Sequence, residues 1–382
     1  MENSKSEKKI VKVGSLFAGV GGICLGFLRA QNDKAKYEIV YANERDEYAC
    51  VTYRHNFKHP LLEGDINYVL HPETSDNKEY YESLHEQMFS EPVDVLNAGF
   101  PCQAFSIAGE RKGFADERGN LFLSVIDAIQ QYDEKFHQKP RILFLENVKN
   151  LMAHDGGRTY RIIKSKLEEN GYIVKEAILN TMEYTNIPQN RERIYIVGFL
   201  NKEDADRFTM FDRLYSYKLP KLTKKERANL NSQIIDENVS NPKYFYTKEK
   251  YPHYFEEPGQ PTKKELRVNI AENITEKNQF YQIRRGLYVR QNKSDVCPTL
   301  TANMGTGGHN VPLVLTDKGI RKLTPEEAFK LQGFPIGNGY DFPKTYNGKP
   351  YAESHLYKQA GNSVSVPVIT LIAQELLELF EK

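Results

Sequence analysis

Cysteine is scarce in this 382-residue chain and scattered where it occurs. Cys24, Cys50, Cys102 and Cys297 form no C-x-x-C pair, which argues against both a disulfide framework and a zinc site, so no metal is expected. Long apolar runs are absent too, the mean hydropathy is −0.61, and no secretory leader pattern opens the sequence. A soluble cytoplasmic protein without membrane contact is the expectation. Net charge is nearly missing as well: 52 Lys and Arg face 51 Asp and Glu, leaving +1. Taken whole, that balance looks wrong for a nucleic-acid enzyme, but by region it does not. Residues 206–320 carry 19 Lys and Arg against 13 Asp and Glu, a local charge of +6, and the remainder stands at −5. Basic character concentrated in this way suits phosphate binding.

The organisation changes at the same place. Residues 11–200 alternate strand-like runs such as Ile173 to Leu179 with helical stretches such as Leu121 to Gln131 and Tyr160 to Asn170, the pattern of a doubly wound α/β sheet. From about residue 206 the pattern dissolves, and Tyr, Lys and Pro crowd Tyr215 to Pro261. An irregular, mostly β module is expected there. There is no internal repeat and no low-complexity tract.

Within the α/β part, Phe17-Ala18-Gly19-Val20-Gly21-Gly22 follows the apolar stretch Ile10 to Leu16 and opens the helical pattern Ile23 to Ala30. A strand, a glycine-rich turn and a helix make a cradle in which the backbone can approach a ligand. The third glycine of G-x-G-x-x-G is missing, which disfavours a nicotinamide oxidoreductase. The next apolar run, Tyr37 to Ala42, leads into Asn43-Glu44-Arg45-Asp46, where such folds place an acid on ribose hydroxyls. A nucleoside fits this pattern better than a free phosphate.

Cys102 follows the strand-like run Val93 to Asn97 in Ala98-Gly99-Phe100-Pro101-Cys102-Gln103-Ala104-Phe105-Ser106. It is expected at the carboxyl edge of the sheet, where ligands bind in open α/β folds. Arg141 to Leu145 reads as a central strand that delivers Glu146 to the same edge. The block Ile187 to Arg193 runs into the strand Ile194 to Phe199, and Arg191 and Arg193 reach that edge only if this last strand is antiparallel to the others. A lone cysteine or a strand-ending glutamate is most often structural. Their convergence is what points to chemistry.

These residues carry a family resemblance. Phe17 to Gly22, the Cys102 loop, Glu146-Asn147-Val148, Gln189 to Gly198, Arg321 to Glu327 with Leu331 to Pro335, and Tyr357 to Pro367 resemble, in order, the signature blocks of the DNA (cytosine-5) methyltransferases, most of all the bacterial modification methylases of restriction systems. The resemblance implies a Rossmann-like S-adenosylmethionine-dependent methyltransferase sheet with an antiparallel last strand, over residues 1–205 and completed by 350–382. It also implies a smaller target-recognition domain over 206–349. Cys102 would add to C6 of a cytosine flipped out of double-stranded DNA, Glu146 would serve N3, and Arg193, with Arg191 nearby, would hold O2. Gln103 to Gly109 would close over the base, with Glu110 to Asn120 as a lid.

S-adenosylmethionine is the implied cofactor. Phe17, Ala18, Gly19, Val20, Gly21 and Gly22 would wrap its methionine half, Glu44 its ribose, and Asp65 with Ile66 its adenine. Gly99, Pro101 and Leu121 would complete the wall, with Asn362, Ser363 and Val364 brought in from the far end of the chain. Two positions depart from the family pattern: Ser15 stands where aspartate is usual, and Arg45 where an apolar or aromatic residue stacks on adenine. Gln103, Ser106, Gln282, Arg284, Arg285, Thr299, Leu300 and Thr301 are the candidates for DNA contact. A monomer reading a short palindrome is the family expectation, and a cognate restriction endonuclease is an implied partner that the residues leave open. An RNA cytosine-5 methyltransferase and a catalytically silent DNA-binding protein are the alternatives. The basic insertion argues against the first, and intact Cys102, Glu146, Arg191 and Arg193 against the second.

Overall fold

The computed structural model describes residues 8–100, 121–255, 269–284, 288–306 and 310–381. Contacts divide the chain into two compact units, one running to Leu179 and taking up Glu192–Lys218 and Val366 onward, the other comprising Asn180–Arg191 and Leu219–Ser365. The sequence places its boundaries instead at 205/206 and 349/350.

The first unit is built on strands of three to ten residues whose apolar runs suit burial on both faces. They are β1 (Lys9–Leu16), β2 (Ala35–Glu44), β3 (Leu61–Glu63), β4 (Val95–Ala98), β5 (Ile142–Val148), β6 (Ile173–Asn180) and, after the short β7 (Gln189–Asn190) of the second unit, β8 (Glu192–Phe199). The sheet order is β3-β2-β1-β4-β5-β8-β6. Neighbours from β3 to β5 are parallel, and β8 runs antiparallel to β5, as the arginine argument requires. Strand order reverses between β1 and β4, so their carboxyl ends flank the switch point at which doubly wound sheets bind ligands.

Alternation along β5 shows how the layers form. Leu143 and Leu145 join a core with Ile126, Ile129, Ile163 and Leu167 from the helices Leu121–Phe136 and Arg158–Glu169. Phe144 turns to the other face and meets Phe27 edge-on at 5.3 Å, on the helix Gly22–Arg29. The C-terminal helix Val366–Leu377 lies against that helix because position 26 has no side chain: a Cβ on Gly26 would sit 2.4 Å from Ile369. Tyr37 donates to the Ala373 carbonyl at 2.9 Å, and Lys34 pairs with Glu381 at 3.1 Å.

The second unit holds a four-stranded sheet in the order β10-β9-β12-β13, formed by β9 (Tyr281–Arg284), β10 (Tyr288–Gln291), β12 (Leu313–Thr316) and β13 (Gly319–Lys322). β11 (Cys297–Pro298) pairs in parallel with β7. Tyr246, Tyr254, Ile270, Ile283, Leu313 and Ile320 form its core. The helix Lys224–Ile234 stands where the sequence reading finds no lasting helical period. Its start is nevertheless encoded in a reciprocal capping box between Thr223 and Glu226, which satisfies two otherwise orphaned backbone donors. The helix Glu353–Asn362 packs on the turn Ala302–Thr306, so residues 350–365 belong with this unit, and 366 onward with the sheet.

Candidate active site

The turn after β1 is wound through left-handed conformations at Phe17 (φ +55°), Gly19 (+56°) and Gly21 (+82°). Left-handed backbone costs a non-glycine residue about 1–2 kcal/mol, so Phe17 is held there by its surroundings. At Gly21 a Cβ would in addition meet the Phe57 ring at 2.2 Å. Gly21 caps the helix Gly22–Arg29 without a side-chain acceptor, so the helix N-terminus faces the turn with backbone N–H groups.

Glu44 fastens this turn to the end of β2. One carboxylate oxygen accepts from Gly19 N at 2.8 Å, and the other from Arg45 N at 2.8 Å and Asp46 N at 2.7 Å. An ionised carboxylate has about four acceptor positions, which leaves one for a ligand hydroxyl. Burial raises the carboxyl above its ordinary value, against the opposing pull of those three backbone donors. Beside it, Arg45 pairs with Asp65 at 2.9 Å, and Asp65 caps the short helix that starts at the buried Ile66. Ser15, at the position where the family has aspartate, is fully buried and donates to Asn97 at 2.7 Å, bracing β1 against β4. Gly99 follows β4, with Ile23 3.3 Å from where its Cβ would be, and Leu121 opens the next described helix.

Glu146 and Arg193 come together. The β5–β8 register sets Arg193 opposite Val148, which makes Glu146 its diagonal neighbour on the same face. Arg193 Nε lies 3.2 Å from Glu146 Oε1, with only 12% and 10% of the two side chains exposed. Water is thus largely excluded, which strengthens a charge pair. The next residue, Asn147, donates to the Phe100 carbonyl at 2.8 Å, tying the strand that carries Glu146 to the chain leaving β4. Pro101, Cys102, Gln103 and Ser106, with the lid segment, lie outside the described residues. Among the described cysteines, Cys24, Cys50 and Cys297 are all buried, and burial raises each thiol, the reverse of what a nucleophile needs.

The structure corrects the reading at Arg191 and Leu300, both in the second unit. Arg191 is 2% exposed, and its guanidinium donates to the carbonyls of Leu300 at 3.0 Å, Gly361 at 3.4 Å and Ser363. A guanidinium spent on three carbonyls clamps backbone and does not offer a base edge its fork. Leu300 is 1% exposed. Its N–H goes to Gln189 and its carbonyl to Arg191, so it cannot present itself to DNA. Gln189, which the sequence reading names only as the start of a signature block, also donates to Leu331 O at 2.6 Å and Gln332 at 3.2 Å. Thr299 donates to Asn190 O at 2.7 Å, and Gln332 to Ala360 O at 2.7 Å. Three signature blocks and the Thr299–Leu300 segment are thereby joined by buried polar groups. Ser363 and Val364 are buried beside this knot, while Asn362 and Thr301 are exposed. Gln282 and Arg284 alternate with buried neighbours along β9 and face the cross-strand partners Arg290 and Tyr288, so they share one accessible face. Arg285 lies outside the described residues.

Among the described residues no single helix is long and apolar enough to cross a membrane. The sequence profile of the C-5 cytosine-specific DNA methylases matches residues 11–378. The chain is 44% identical over 371 residues to the Type II methyltransferase M.Bsp6I of Bacillus sp. (strain RFL6), covering 96% of this chain and 98% of that one. It is 33% identical over 381 residues to the Type II methyltransferase M1.ScrFI of Lactococcus lactis subsp. cremoris, covering 100% and 81%. In fold it is similar to the crystal structure of the S. pombe Dnmt2 methyltransferase, with a TM-score of 0.62 at 17% identity over 97% of this chain and 99% of that one. A second fold match is a putative DNA modification methyltransferase encoded within an E. coli prophage, with a TM-score of 0.56 at 20% identity, covering 97% and 100%. With the profile spanning nearly the whole chain and the signature blocks meeting as described, this protein belongs to the C-5 cytosine-specific DNA methylase family.

Proposed function

We propose that the chain methylates C5 of a cytosine flipped out of a short specific sequence in duplex DNA, as the modification enzyme of a type II restriction-modification system. The observation that carries the proposal is the desolvated Glu146–Arg193 pair on the strand whose Asn147 holds the backbone just ahead of Cys102. Cytosine C5 is a weak nucleophile. Addition of the Cys102 thiolate to C6 turns the ring into an enamine whose C5 can attack an electrophile. Glu146 meets N3, which accepts a proton or strong hydrogen bond as the S–C6 bond forms, and Arg193 holds O2 and orients Glu146. Loss of the C5 proton then expels the thiolate and restores the aromatic ring.

S-adenosylmethionine supplies the methyl group when bound. The residues fit a ligand of that kind: the helix that begins at Gly22 has no side-chain cap on its N-terminal backbone N–H groups beside the wound turn, Glu44 retains an acceptor for a ribose hydroxyl, and the planar Arg45 guanidinium, held by Asp65, suits an adenine face. The second unit, with the half-buried Gln282 and exposed Arg284 on one face, is assigned to target recognition.

Incubation with methyl-labelled S-adenosylmethionine and either duplex DNA or transfer RNA tests the reading, with label expected in DNA. Label only in RNA, or none, would overturn it. Cys102→Ser is expected to abolish transfer while duplex binding persists, and retained turnover would remove Cys102 as the nucleophile. Bisulfite sequencing of DNA from expressing cells identifies the target.

A further inference from the structure

We propose that Lys243, Lys250 and Lys322, set among the rings of Tyr244, Tyr251 and Tyr357, form a binding site in the second unit for a phosphate of the DNA backbone. The proposal rests on the reading of the chain as a duplex-DNA enzyme. It concerns residues outside the Gln282 to Thr301 candidates.

The cluster is assembled by backbone pairing. Phe245 bridges to Arg321 on β13, and Tyr246 N donates to Ile320 O at 2.9 Å, which sets Lys243 and Tyr244 beside Lys322 at the end of that strand. The chain then turns, Tyr251 N donating to Thr247 O at 2.9 Å, and Tyr251 stacks on Tyr246 with ring centroids 4.5 Å apart. This return brings Lys250 back to Lys243, whose carbonyl accepts from Lys250 Nζ at 3.3 Å. Lys243 Nζ lies 5.0 Å from the Tyr244 centroid, Lys250 Nζ 5.3 Å from that of Tyr251, and Lys322 Nζ 5.8 Å and 5.3 Å from those of Tyr244 and Tyr357.

Charge within the cluster is not balanced. Glu353 is the one carboxylate paired there among the described residues, at 2.8 Å from Lys243, and it also accepts from the Tyr244 hydroxyl. Three ammonium groups therefore share one directly paired carboxylate, with Glu326 near enough to act on Tyr244 and Tyr357 and Glu327 paired to Arg321. Burial holds the Lys322 ammonium below its ordinary value, and Lys250 and Lys243 push it the same way against the pull of Glu353. A folded protein does not gain stability by gathering like charges on an aromatic floor. A bound anion relieves the repulsion, and polyanionic DNA is the substrate that brings one. Aromatic rings beneath the lysines restrict their conformations, so less entropy is lost on binding.

The test is fluorescence anisotropy with fluorescein-labelled duplex DNA over a salt series, using the full chain. Each phosphate contact contributes about −0.9 to the slope of log K against log salt. Lys250→Ala and Lys322→Ala are each expected to lower the steepness by about one and to weaken binding to all duplex sequences alike. Lys322→Arg should retain the wild-type slope, and Lys202→Ala, paired with Asp206 in the first unit, should leave it unchanged. Unchanged slopes for both alanine variants, in a chain that still binds duplex DNA, would overturn the proposal, as would a loss confined to one sequence, which signals base readout. Failure of the wild-type chain to bind duplex DNA would instead overturn the functional reading itself, and the lysine assignment with it.

Discussion

Replacing Glu44 by glutamine separates the wound turn from the strand that holds it. Three backbone N–H groups converge on this carboxylate. An amide keeps one oxygen, enough for the Arg45 and Asp46 donors, and turns an NH₂ group toward Gly19 N, a donor facing a donor. Hydrogen bonds to a charged group contribute about 1.5–3 kcal/mol each. Losing the Gly19 contact and the charge offered to a ribose is therefore expected to cost about 2–3 kcal/mol of cofactor binding, roughly a 30- to 150-fold weaker Kd. Calorimetric titration with S-adenosylhomocysteine measures this. The pH dependence gives a second reading. Because burial raises the Glu44 carboxyl above its ordinary 4.5, affinity of the wild type should fall as pH drops through a midpoint above 4.5, and the variant should lack that limb. A raised carboxyl pKa also means that ionised Glu44 costs folding stability at neutral pH, a cost present above the folded pKa and absent below the unfolded one. Affinity should thus fall without a matching fall in Tm. An affinity within about threefold of wild type would refute the reasoning, since that is less than one hydrogen bond to a charge.

Glu146→Gln should lower kcat by roughly 10²–10⁴-fold yet leave base extrusion intact, so a stopped-flow 2-aminopurine signal at the target position should survive; its loss would assign Glu146 to flipping instead. Glu327→Ala strands the fully buried Arg321, which now meets both carboxylate oxygens at 2.8 and 2.6 Å. Breaking such a pair costs about 3–5 kcal/mol, to be read as a lowered urea midpoint, whereas an Arg321→Met/Glu327→Leu double variant should recover only part of it, because the Thr324 and Asp236 N–H groups also lose Glu327 as their acceptor. His59 is half-buried, and burial pushes its imidazole down to about 4, so the native state resists protonation while the unfolded chain accepts it. Stability should be complete above the unfolded value near 6.5 and should fall as pH drops from there toward 4. His59→Gln should flatten that limb, and identical pH–Tm curves would exclude His59 as its source.

The parts of the molecule legible in the sequence were those fixed by local pattern. Apolar runs marked β1, β2, β5 and β8, and the need for Arg193 to reach the carboxyl edge set the direction of β8, which then placed Glu146 two residues from the Val148–Arg193 pairing. Arg191 shows where such reasoning ends. It is the same residue type as Arg193, two positions away, but its partners lie 109 to 172 residues along the chain, and no local signal distinguishes a guanidinium bound for carbonyls from one bound for a substrate. Ser15 was similarly opaque, because its meaning lies in Asn97, 82 residues away. The helix Lys224–Ile234 was missed for another reason: it lacks an apolar stripe, though its Thr223-to-Glu226 start was readable in the sequence.

With target recognition proposed for the second unit, the passage of Asn180–Arg191 into it bears on how target preference can be inherited or engineered. A graft that exchanged only Leu219–Ser365 for the matching stretch of a relative would leave Gln189 and Arg191 behind, and would ask them to grip carbonyls shaped by another lineage. Swaps that carry both segments together should give working hybrids, and single-segment swaps should give poorly folded ones unless the recipient's Gln-Asn-Arg triplet already suits the incoming loops.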